Sequence, residues 1–119
     1  AKPGEQARAM VLAPVVRGKK GFHRDVFEDL VKQGWTRARV NGALVDLRDV
    51  LKDPSENPLK LGRFEKHSID AVIDRIGIAP ESRQRLAESI EAALRLAEGS
   101  LTVSFEDAAA PGGWRDVTY

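Results

Sequence analysis

A chain of 119 residues, 42% hydrophobic and 31% charged, has the length of one domain and enough apolar material for a core, unlike a disordered sequence. Its 19 basic and 18 acidic residues nearly cancel, to a net charge of +1, so any electrostatic role must come from local clustering and a generic polyanion binder is not indicated. With no cysteine and two histidines, His23 and His67, the chain has no thiolate nucleophile, disulfide, cysteine-based zinc site or histidine-rich metal site. No apolar run is long enough for a bilayer, and Ala1-Lys2-Pro3-Gly4-Glu5 lacks the apolar core of a signal peptide. A cytoplasmic location is therefore expected.

Met10 to Val16 is a short apolar run rich in β-branched residues and reads as a buried strand, with Pro14 indicating an edge or a bulge. Arg17-Gly18-Lys19-Lys20-Gly21 reads as a basic loop. Phe22, Val26, Phe27, Leu30 and Val31 recur at helical spacing up to Gly34, which is placed to cap the helix in the left-handed conformation. Two strands, Thr36–Val40 and Ala43–Leu47, flank Asn41-Gly42, the pair best suited to the two positive φ angles of a type I′ hairpin turn. That two-residue loop sets Val40 opposite Ala43, Arg39 opposite Leu44 and Arg37 opposite Asp46, so Arg37 and Arg39 project from one face. Residues 48–63, with Asp53-Pro54, Asn57-Pro58 and Gly62 among charges, read as a surface loop.

Ser68 to Ile76 is apolar on both faces at its middle, as a central strand should be. Pro80 and Glu81 open a second helix whose Leu86, Ile90, Ala93, Leu94 and Ala97 share a face, with Gly99 as its stop. Leu101, Val103 and Phe105 then alternate with Thr102, Ser104 and Glu106 as a half-buried last strand. The order strand, helix, hairpin, strand, helix, strand predicts an α+β fold: a small mixed sheet of about five strands with two helices packed on one face. Residues 1–9 are expected to be an N-terminal flank, 10–106 the domain and 107–119 a C-terminal linker that leaves Trp114 without a partner element.

Chemistry is poorly represented. The glycines around Lys19 and Lys20 lack the Walker spacing and its terminal Gly-Lys-Ser/Thr, so they read as a solvated basic turn or as a nucleic-acid backbone contact through Arg17, Lys19 and Lys20. His67, Asp70 and Asp74 could be drawn as an acid/base or metal group. Ordinary ion pairs, with Arg75 and Lys66 as nearby countercharges, explain those carboxylates better. The serines have no nucleophile-elbow motif. For recognition, Arg37, Arg39 and Arg75 stand out, because guanidinium forks grip carboxylates bidentately and arginine is enriched at binding hot spots. Spacing alone leaves Arg37 open between such a contact and a cross-strand pair with Asp46, and Arg75 open between a contact and a strand-end side chain that snorkels past Ile73 or pairs with Asp74.

Longer words carry more. Val11-Leu12-Ala13-Pro14-Val15-Val16-Arg17-Gly18-Lys19-Lys20-Gly21, Arg37-Ala38-Arg39-Val40-Asn41-Gly42, Lys66-His67-Ser68-Ile69, Val72-Ile73-Asp74-Arg75 and the helix Leu86 to Gly99 follow one another in order. Over Met10 to Phe105 the chain resembles the UvrB-binding domain of UvrA, the damage-sensing subunit of the bacterial nucleotide excision repair excinuclease. The resemblance implies a domain inserted near the first ATP-binding module of a zinc-containing ABC-type ATPase, with UvrB as its partner. It also implies that ATP and zinc are bound elsewhere in that protein, so that this chain carries no cofactor and is no enzyme by itself. The same surface is implied to receive the transcription-repair coupling factor. The family's binding arginines match Arg37 and Arg75, with Asp74, Arg39 and Lys66 as weaker carry-overs. Two departures stand out: the longer 48–63 stretch, and Thr36-Arg37-Ala38-Arg39 where the family has Val-Arg-Val-Arg.

Overall fold

The structure is a computed structural model that describes residues 8–119. In chain order its elements are β1 (Arg8–Lys20), α1 (Arg24–Lys32), β2 (Arg37–Val40), β3 (Ala43–Asp46), α2 (Leu47–Val50), β4 (Lys66–Gly77), α3 (Arg83–Leu96), β5 (Thr102–Glu106) and β6 (Trp114–Thr118). The fold is α+β, as expected. Its strands form a six-stranded antiparallel sheet in the order β3-β2-β4-β1-β5-β6, where about five strands in a mixed sheet were expected. The strands joined through each helix run parallel to each other but are not neighbours. The connection through α1 joins β1 to β2 with β4 between them, and that through α3 joins β4 to β5 with β1 between them, so each pair is split by an antiparallel strand.

Residues 14–72 pack as one compact unit, and residues 8–13 with 73–119 as another, so that β1 and β4 contribute to both. In the first unit, Phe27 and Leu30 of α1 are buried, as are Ala38, Val40, Leu47, Ile69 and Ala71. Burial of a side chain such as Phe27 contributes about 2–3 kcal/mol. The end of α1 follows from its sequence: Gly34 adopts φ 96°, and Trp35 N–H donates to Leu30 O and Gly34 N–H to Val31 O. These two bonds satisfy carbonyls that the last turn would otherwise leave unpaired. At the hairpin, Asn41 (φ 49°) and Gly42 (φ 88°) make the double positive-φ turn. Arg37 pairs with Asp46, Arg39 with Leu44 and Val40 with Ala43, the register expected from the loop length.

The basic segment 17–20 is strand and not loop. Gly18 takes a left-handed φ of 56° within β1, and its N–H is caught by Ser68 Oγ at 3.1 Å, so the glycine bends the strand without ending it. Residues 48–63 are a surface segment that opens with the single turn of α2. Asn57 ties that segment together, donating to Leu61 O and accepting from Leu61 N–H, while Arg24 Nη1 of α1 donates to Asp53 O and Ser55 O.

In the second unit, Ala9 to Leu12 of β1 pair with β5. That pairing stops two residues before Pro14, which has no N–H with which to continue it. Residues 107–119 are not a linker throughout: the chain turns at Pro111–Gly113 and returns as β6, with Trp114 opposite Glu106 and Thr118 opposite Thr102. This explains a second departure. Thr102 and Ser104 are buried although the alternation assigned them to solvent, because β5 is flanked by β1 and β6 and Ser104 Oγ donates to Asp116 Oδ1 at 2.7 Å. The N-terminal flank lies outside the described residues up to residue 7, and Arg8 and Ala9 already belong to β1. Among the described residues, no helix is long and apolar enough to cross a membrane.

Candidate protein-docking surface

The hairpin presents its arginines by period-2 alternation, yet the structure gives the two different work. Arg39 lies opposite Asp70 of β4 and grips its carboxylate, with Nε and Nη2 donating to Oδ2 at 3.1 and 2.9 Å. Both side chains are largely covered, at 14% and 15% exposure, so this pair is an internal fastening. The Arg37 side chain is exposed and has no hydrogen-bond or ion-pair partner among the described residues. The carboxylate across from it, Asp46, is already committed as the N-cap of α2, accepting from Arg48 N–H at 2.9 Å and Asp49 N–H at 3.4 Å. Leu44, opposite Arg39 in register, is 47% exposed and adds an apolar contact beside the arginines that charge reasoning overlooked. Lys66 is exposed at the start of β4, and Arg17, Lys19 and Lys20 are exposed at the end of β1.

Asp74 and Arg75 divide in the same way within the second unit. Arg85 of α3 forks onto Asp74, with Nε to Oδ2 at 2.9 Å and Nη2 to Oδ1 at 2.6 Å, and Ser89 Oγ donates at 2.8 Å. The Arg85 fork, helped by Ser89 and by the Arg75 backbone N–H and opposed by burial, holds the Asp74 carboxyl below its ordinary range. Asp74 is thereby taken out of the exposed set. The Arg75 side chain is exposed and unpaired among the described residues. Arg85 was not singled out from the sequence, because its partner lies on a different element and no local spacing marks the pair.

A lowered carboxyl pKa ties stability to pH with a defined sign. Asp74 is charged in the native state at pH values where the unfolded chain, near 3.8, already takes up the proton. Its contribution is thus complete above the unfolded value and is lost as pH falls through the lower native one. Arg85→Ala removes the principal cause. Urea midpoints of wild type and variant should differ by a constant amount from pH 7 to about 5 and converge below about pH 4. A gap that stays constant down to pH 2.5 would contradict the assignment.

His67 is buried and structural. Its Nε2–H donates to Gly62 O at 2.8 Å and its Nδ1 accepts from Asn41 Nδ2 at 2.9 Å. The three residues considered for acid/base or metal chemistry, His67, Asp70 and Asp74, are thus each engaged by separate partners. A larger cleft of about 590 Å³ in the second unit is lined by Ile76, Leu86, Ile90, Leu101, Val103 and Phe105 among others. Among the described residues its one serine, Ser82, donates to Gly77 O at 2.9 Å, and the wall they form offers no set of converging reactive groups. What the surface does offer is exposed guanidinium groups held on strands, suited to gripping carboxylates.

Comparison with known proteins agrees with the words noted in the sequence. The chain is 44% identical over 112 residues to UvrABC system protein A of Deinococcus radiodurans, an alignment covering 94% of this chain and 10% of that protein. It is 45% identical over 103 residues to the protein of the same name from Clostridium tetani, covering 87% of this chain and 10% of the relative. To that of Pseudomonas putida it is 47% identical over 100 residues, covering 84% and 10%. The chain therefore spans about a tenth of the length of these relatives. A family profile described as the UvrA interaction domain matches residues 2–107, and this chain belongs to that family.

Proposed function

We propose that this domain is the UvrB-docking module of a UvrA protein and serves nucleotide excision repair by bringing UvrB to damaged DNA. Arg37 and Arg75 are its principal contacts, each gripping acidic side chains of UvrB. The observation that supports this reading is the division of labour among neighbouring charges: Arg39 and Asp74 are tied internally, whereas Arg37 and Arg75 are exposed with no partner among the described residues. Guanidinium groups whose backbone is fixed in a strand, and which need not first leave an internal carboxylate, can fix the orientation of an acidic partner. Lys66 adds positive charge at the rim, and ATP and zinc belong to other parts of such a protein. A coupling factor that resembles UvrB over one module would be received by the same residues.

The test is a titration of this chain with purified UvrB, comparing wild type with the Arg37→Ala, Arg75→Ala double variant. Arg17, Lys19 and Lys20 are exposed together at the end of β1, which keeps a DNA-backbone contact as the alternative role for those three residues.

A further inference from the structure

The return of the chain as β6 gives Trp114 a neighbourhood that its place in the sequence does not suggest. A hollow of about 300 Å³ is lined by Arg8, Ala9, Arg75, Ile76, Gly77 and Trp114. Arg8 stands at the start of β1, Arg75 near the end of β4 and Trp114 at the start of β6, so three segments far apart in sequence build it. Both arginines are exposed, and neither guanidinium has a hydrogen-bond or ion-pair partner among the described residues. The carboxylate next in sequence to Arg75 is held by Arg85 and Ser89, and so does not neutralise the hollow. Two guanidinium groups around one small concavity, with no counter-ion among the described residues, form a site suited to an anionic group, while the indole and the Ala9 and Ile76 side chains supply an apolar wall.

The geometry points to a pocket for an acidic side chain carried next to an apolar one on the docking partner. Arg75 and Arg8 grip the carboxylate, and Trp114 covers the apolar neighbour. This rests on the docking role proposed above for Arg75, and it adds two residues, Arg8 and Trp114, to the contact. The mixed wall favours a protein segment over a nucleic-acid backbone, whose phosphates would use the cations and leave the apolar half idle. Arginine and tryptophan are also the residue types most often found to dominate protein interfaces.

The experiment is a titration of this chain with purified UvrB, followed by calorimetry and by Trp114 emission in a Trp35→Phe background, where Trp114 is the one remaining tryptophan. UvrB should change that emission. Arg8→Ala and Trp114→Ala should each weaken binding about tenfold or more, and Trp114→Phe, which retains an aromatic ring and the strand, should retain most of the affinity. Circular dichroism checks that each variant is folded. Arg8 is an exposed strand-end residue, so Arg8→Ala decides the matter if Trp114→Ala disturbs β6. If both variants bind within about twofold of wild type while Arg37→Ala and Arg75→Ala lose affinity, the pocket is refuted and the docking role stands. If wild type does not capture UvrB, or Arg37→Ala and Arg75→Ala leave binding unchanged, the docking role falls and the pocket with it. A duplex DNA response at low salt that Arg8→Ala abolishes, with UvrB binding unaffected, would reassign the hollow to nucleic acid.

Discussion

Replacing Arg37 and Arg75 together by alanine should weaken capture of UvrB by at least about a hundredfold, or about 3 kcal/mol, while the domain stays folded. The size follows from their state in the free domain. Each guanidinium is exposed and unpaired among the described residues, so its charge-assisted bonds to a partner replace water and do not compete with an internal carboxylate. Truncation should also leave an acidic group on UvrB desolvated without its partner, which is why the loss exceeds that of an ordinary surface contact. The same exposure means that the folded state hardly uses these side chains, and the urea midpoint should move by less than about 0.5 kcal/mol equivalent. Arg37→Lys should fall between wild type and alanine, since it retains the charge and loses the planar fork.

Arg39→Ala supplies the contrast. It leaves Asp70, 15% exposed, without the fork that covers it, and should cost about 2 kcal/mol of stability before any effect on binding is read. Calorimetric titration against UvrB beside urea unfolding separates the two outcomes. Wild-type affinity in the double variant, or an Arg39→Ala domain as stable as wild type, would show that the free and tied arginines have been assigned the wrong way round.

His67→Ala should lower stability by about 3 kcal/mol, chiefly by leaving buried polar groups and a cavity behind. The imidazole bridges Gly62 O, which can only accept, and the Asn41 amide nitrogen, which can only donate. These partners define the neutral tautomer with its proton on Nε2. The other end of the amide is fixed too, because Asn41 Oδ1 accepts Ser68 N–H at 2.9 Å and Asn41 N–H donates to Ser68 O. One buried side chain thus fastens the hairpin turn to β4 and to the end of the 48–63 segment. His67→Gln retains a donor and an acceptor and should cost about half as much. Equilibrium unfolding gives the magnitude, and amide exchange should report the loss first at Asn41 and Ser68. A change below about 1 kcal/mol would mean that water replaces the bridge without penalty.

Some of this architecture is legible because its physics is local. Asn41-Gly42 makes its turn within four residues, Gly34 closes α1 on carbonyls one turn back, and a two-residue loop leaves the hairpin a single register. The family words act differently: they identify the domain through many positions at once and point to Arg37 and Arg75 before any geometry is known. The strand at residues 114–118 is not legible, since Trp114 and Val117 gain a reason to be extended only when β5 lies beside them. The burial of Thr102 and Ser104 fails for the same reason, because alternation assumes a solvated face and cannot register the neighbouring strand.

The arginines show where that boundary lies. By itself the sequence determined that Arg37 and Arg39 share a face and that Asp74 and Arg75 are adjacent on a strand. Spacing alone could not choose between equivalent positions two residues apart. Tertiary structure decided that Arg39 is tied and Arg37 exposed, because Asp70 arrives from a strand 31 residues away while Asp46 turns to cap α2. It likewise decided that Asp74 serves α3 and that Arg75 faces a hollow with Arg8 and Trp114. Whether a charge is available to a partner depends on which countercharge reaches it first, and that depends on contacts distant in sequence.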